Sequence, residues 1–170
     1  MMRFFMTLLA LVVSGVCVAS QGYIEKEGTR MTIRDSVAVL DEQVGKLTVY
    51  LLPTRLSATE KAKIKQGNVL MVLLRKGSPD SDKWNWYPYA RLELKDATTK
   101  FTSPDTFYGY YLMAYGLKQK NYTDNLNGYF QGDEVLRNYH LGSDRLEFEF
   151  SGGEKSMAIK WRLDVDAPLL

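Results

Sequence analysis

With 22 basic and 20 acidic side chains in 170 residues, the chain carries a formal charge of only +2, which argues against a nucleic-acid binder or a strongly cationic membrane-surface protein. Its length and its 45% hydrophobic content suit one packed domain. A single cysteine excludes a disulfide framework within the chain.

Met1-Met2-Arg3 gives a short positive start, Phe4 to Val13 is almost wholly apolar, and the run ends in Cys17-Val18-Ala19-Ser20. That order of charged, apolar and small residues is the layout of a secretory signal peptide, expected to cover residues 1–19 and to be cut after Ala19. The apolar run is short for a membrane anchor, which needs about 20 such residues. Acylation of Cys17 as a bacterial lipoprotein is the second reading, weakened by Val16 where a small residue is wanted. The mature chain is then periplasmic or secreted, has no transmembrane span, and carries no cysteine and a charge of +1 once Arg3 is gone. Residues 20–29 are polar and read as a flexible arm, leaving one domain over 30–170.

Period-2 alternation dominates that domain. Met31-Thr32-Ile33, Val37–Leu40 and Leu47–Leu52 read as short strands, the last stopped by Pro53. Ser57-Ala58-Thr59-Glu60 fits a capping box and starts a short crossover helix near 57–66, ended by Gly67. The apolar run Val69–Leu74 suits a strand buried on both faces, and Pro88 belongs at a strand start or edge. Leu92 and Leu94, then Leu146, Phe148 and Phe150, then Ile159, Trp161 and Leu163 alternate with charged residues, as half-buried strands do. The pattern predicts an all-β fold, a two-sheet antiparallel β-sandwich, with a β-barrel as the alternative.

Aromatic residues crowd the middle of the chain. Trp84, Trp86, Tyr87 and Tyr89 follow a polar turn, and Tyr122, Asn125 and Asn127 fall in an Asn-rich stretch expected as an exposed loop. Rings with a polar tip can stack on sugars or anchor a protein interface, so these seven residues are the candidate binding set. The competing account is core packing, which applies most to Tyr108–Leu117, where both alternating faces are apolar.

Chemistry beyond binding has little support in the sequence. Asp80 and Asp82, or Asp124, Asn125, Asn127 and Asp133, offer oxygen atoms for calcium, but a solvated turn explains them as well and no cofactor is expected. Zinc is disfavoured, because His140 is the only histidine. Catalytic motifs such as Gly-x-Ser-x-Gly and His-Glu-x-x-His are absent. Glu147 and Glu149 share one strand face and could act as the carboxyl pair of a glycan hydrolase, although cross-strand ion pairs explain them without catalysis. The expectation is a non-catalytic recognition module for a protein or glycan, with a glycan hydrolase and a structural envelope protein as alternatives. The sequence leaves the oligomeric state open.

Overall fold

The computed structural model describes residues 21–64, 89–119, 122–130, 135–155 and 158–170. The expected signal segment, the Val69–Leu74 strand and Pro88 lie outside them. In chain order the elements are β1 (Gly22–Lys26), β2 (Thr29–Ile33), β3 (Asp35–Asp41), β4 (Lys46–Leu52) and α1 (Ala58–Ile64). Then come β5 (Tyr89–Asp96), a 3-10 turn (Pro104–Thr106), β6 (Phe107–Gln119), β7 (Tyr122–Phe130), β8 (Val135–Leu141), β9 (Arg145–Glu154) and β10 (Ile159–Pro168). Sheet A has the order β2-β1-β10-β9-β8, and sheet B the order β3-β4-β5-β6-β7. All pairings within them are antiparallel. The two sheets are open, so the fold is the expected sandwich and not the barrel. No helix among the described residues is long and apolar enough to cross a membrane.

Alternation builds the core. Ile159, Trp161, Leu163, Val165 and Ala167 of β10 are buried while the residues between them are exposed. Leu146, Phe148 and Phe150 of β9 join them, with Ile24, Met31 and Ile33 from β1 and β2. Sheet B answers with Ala38, Leu47, Val49, Leu51, Ala90, Leu92, Leu94 and Leu112. Phe150 sits at the centre of an aromatic run, stacked on Tyr110 at 5.3 Å and tilted against Trp161 at 5.7 Å. Trp161 in turn lies over Gly152, where a Cβ would stand 2.5 Å from the indole Cζ2. Only glycine leaves room for that ring.

Residues 22–26, expected within a polar arm, form strand β1 between β2 and β10. Their single apolar side chain, Ile24, is fully buried, and one inward hydrophobe in five residues is too short a pattern to read as alternation. The helix is as expected at its start. Glu60 N donates to Ser57 Oγ at 3.2 Å and Ser57 N to Glu60 Oε2 at 2.7 Å, closing the capping box.

Two buried carboxylates fix the connections. Asp35 Oδ2 accepts from Leu56 N at 2.8 Å, while Oδ1 accepts from Lys61 Nζ at 2.9 Å and Ser36 N at 3.0 Å. This ties α1 and its leading loop to the start of β3. A second small core follows on the outer face of sheet B, with Val37, Leu52, Leu56, Ile64 and Tyr89. It explains why β4 is buried on both faces and does not alternate. Asp96, only 2% exposed, holds the loop after β5 by accepting from Thr98 N at 2.8 Å, Thr98 Oγ1 at 2.9 Å and Phe101 N.

Tyr139 of β8 closes the sandwich at that loop. Its hydroxyl donates to the Phe101 carbonyl at 2.8 Å, joining sheet A to the β5–β6 connection. Burial first, and then the Asp96 carboxylate, push the phenol well above its ordinary value. The neutral phenol is therefore the folded form. Below pH ~10 this group adds no pH dependence; above it the unfolded chain ionises and the folded chain does not, so stability falls as pH rises. We expect Tyr139→Phe to cost about 1 kcal/mol at neutral pH through the lost hydrogen bond. Urea titrations from neutral to alkaline pH should show the wild-type advantage shrinking above pH ~10. An advantage that stays constant across that range would refute the assignment.

Candidate functional site

The outer face of sheet B gathers the described residues best suited to recognition. Antiparallel partners share a face, and the register sets Val37, Tyr50, Arg91 and Met113 in one row and Val39, Thr48, Glu93 and Tyr111 in the next. The rows continue in backbone register to Asn127 and Tyr129 of β7. Tyr50 and Tyr111 are half-buried, each with part of its surface open to solvent. Between the rows, Arg91 Nε faces Glu93 Oε1 at 3.2 Å in an ion pair without an aligned hydrogen bond. Arg91 Nη2 also contacts Met113 Sδ at 3.3 Å, and Lys46 Nζ lies 3.9 Å from the same Glu93 oxygen. Both partners of the Arg91–Glu93 pair are largely shielded, with 24% and 13% of their side chains exposed. A guanidinium flanked by tyrosines on a sheet can stack on a planar or sugar ring and donate hydrogen bonds.

The candidates expected from the sequence fall into three groups. Trp84, Trp86 and Tyr87 lie outside the described residues. Tyr89 is 5% exposed and packs with Tyr50 at 6.4 Å and with the second core, so its ring is structural and presents no binding surface. The physical reason is α1: the helix and its leading loop cover the end of the face on which Tyr89 stands. Tyr122, Asn125 and Asn127 belong to strand β7, not to a loop. Their Asn-rich composition reads as a turn, yet β6 offers a long ladder for the segment to pair with, and tertiary pairing overrides local preference. The sequence missed Arg91, Tyr50 and Tyr111 as a group. Their alternation was legible, but bringing β4, β5 and β6 side by side needs the strand order.

The outer face of sheet A has a different character. Glu147 and Glu149 are exposed on it, as the alternation predicts. Arg145 Nε contacts Glu147 Oε1 at 3.2 Å and also pairs with Asp166, while Asn138 Nδ2 donates to Glu149 Oε1 at 2.8 Å. Both glutamates are exposed, and each has a polar partner on this face. Farther along, Lys160 Nζ lies 2.8 Å and Arg30 Nη2 2.7 Å from Glu25. The hydrogen bond from Lys160, then that from Arg30, hold the Glu25 carboxyl below the usual carboxylate range.

Among the described residues, two open hollows can be placed. One, of about 580 Å³, runs past the β1–β2 and β9–β10 turns and is lined by Glu27, Gly28, Gly153 and Lys160. The other, of about 550 Å³, lies between the β3–β4 turn and Leu169–Leu170. Among the described residues no cluster of three or more His, Cys, Asp or Glu is disposed to hold a metal, and Asp80, Asp82 and Asp133 lie outside them. No known protein family, curated protein or solved structure matches this chain.

Proposed function

We propose that the domain is a non-catalytic, extracytoplasmic recognition module for a protein partner or a glycan. It would engage its ligand through Trp84, Trp86 and Tyr87 and through Tyr122–Phe130, and Tyr50, Tyr111 and Arg91 are further candidates on the outer face of sheet B. Supporting a binding role over a hydrolytic one is the use the fold makes of its carboxylates. Asp35 and Asp96 hold loops, and Glu25, Glu93, Glu147 and Asp166 are ion-paired. Beside the paired Glu93, Arg91 and Lys46, the described part of the sheet B face offers the part-exposed rings of Tyr50 and Tyr111, groups that recognition uses. The extracytoplasmic part of the proposal rests on the signal-like residues 1–19.

The test combines a glycan array with affinity capture from an envelope extract, using the purified mature chain and its Trp86→Ala variant. The variant is expected to keep its thermal midpoint and to lose about 2 kcal/mol of binding, roughly 30-fold in affinity, towards any ligand the wild type retains. A large fall in the midpoint would instead place Trp86 in a core. Silence of the wild type in both assays would favour a structural envelope role.

A further inference from the structure

The two open sheets have four edge strands among the described residues, and three of them carry features that discourage further pairing. β2 is short, with five residues, and carries Arg30. β8 is interrupted by a register break between Arg137 and His140, where Asn138 has φ +52°. β3 is covered by the C-terminal segment, since Ala38 bridges to Leu169 and Leu170 N donates to Ala38 O at 2.9 Å. Short length, bulges, charges and covering segments are the devices by which edges avoid adding foreign strands.

Among the described residues, β7 has none of these. It runs nine residues, Tyr122–Phe130, with no proline, lysine or arginine and with Asp124 as its only charged residue. The irregularity beside it costs β7 nothing: from Ala114↔Leu126 to Leu117↔Asp124 the chain advances three residues on β6 and two on β7, so the extra residue belongs to β6. Among the described residues no strand pairs with its outer side.

The sequence of β7 is also complementary to itself. Laid antiparallel on a second copy about Leu126, it sets Asp124 opposite Gly128, Tyr122 opposite Phe130 and Asn125 opposite Asn127. In this register the one charged residue does not meet its twin, whereas like charges directly opposite would oppose pairing. We infer that β7 is a self-association edge: two copies join antiparallel through Tyr122–Phe130 and merge their B sheets into one continuous ten-stranded sheet. This deepens the proposal of a protein partner at Tyr122–Phe130 by naming that partner as a second copy. It is tested without Trp86 or any captured ligand, so the two can fail separately.

The experiment measures mass against concentration by analytical ultracentrifugation for the mature wild type and two double variants, Asn125→Lys/Asn127→Lys and Asn125→Glu/Asn127→Glu. The wild type should show a reversible monomer–dimer equilibrium. Each double variant alone should dissociate at least ~10-fold more readily, because the register sets like charges opposite one another. An equimolar mixture should recover the association, since every introduced lysine then faces an introduced glutamate. A wild type that stays monomeric overturns the inference, as does a mixture that fails to associate while both variants keep the wild-type circular dichroism. Should the variants not fold, amide hydrogen exchange on the wild type decides: protection of 122–130 must rise with protein concentration, and protection independent of concentration refutes the edge.

Discussion

Phe150→Ala is expected to destabilise the domain by about 4 kcal/mol, the upper range for removing a buried aromatic side chain. Phe150 is 1% exposed and lies between Tyr110 of sheet B and Trp161 of sheet A, so its removal opens a void at the junction of the layers. The void cannot close by a simple shift of Trp161, because that ring is already pressed against Gly152. Lost transfer energy and an unrelaxed cavity therefore add. Chemical denaturation should show the midpoint falling with little change in slope, and the thermal midpoint should drop by roughly 10 °C. A loss below about 1 kcal/mol would mean that the site collapses freely, contrary to the packing described.

Asp96→Ala is expected to cost about 3 kcal/mol. The variant leaves the amides of Thr98 and Phe101 without their acceptor beneath the loop. Both Thr99 and Phe101 hold left-handed backbone, at φ +60° and +54°, which non-glycine residues adopt only under constraint. The carboxylate supplies that constraint. Asp96→Asn keeps one acceptor oxygen and should fall between wild type and alanine. Because Tyr139 bonds the Phe101 carbonyl, Asp96→Ala and Tyr139→Phe should be non-additive in a double-mutant cycle. Strict additivity would show that the loop and the β8 strut act independently.

Much of the sandwich was legible in the sequence, because the alternation in Leu146–Phe150 and Ile159–Leu163 and the Ser57–Glu60 box are local signals with local causes. Strands β1, β7 and β8 were not. β1 buries one hydrophobe, β7 is written in turn residues, and the alternation of β8 slips at Asn138. Each is made a strand by the neighbour it pairs with. The candidate site divides the same way: tyrosine-rich composition flagged the region, but only strand order sets Tyr50, Arg91 and Tyr111 side by side, and only the placement of α1 puts Tyr89 inside.

The position of β1 sets the order in which this protein can fold. β1 and β2 form a hairpin early in the chain, yet sheet A reaches the rest of itself only through β10; even Gln21 Nε2 finds its acceptor at Asp166, 145 residues on. An isolated two-stranded hairpin is marginal in water. The first strands made must therefore wait, unpaired on one side, until almost the whole domain is available. Such long-range closure places folding in the slow, millisecond-to-second regime of β topologies. Sheet A is complete only when β10 pairs with β1.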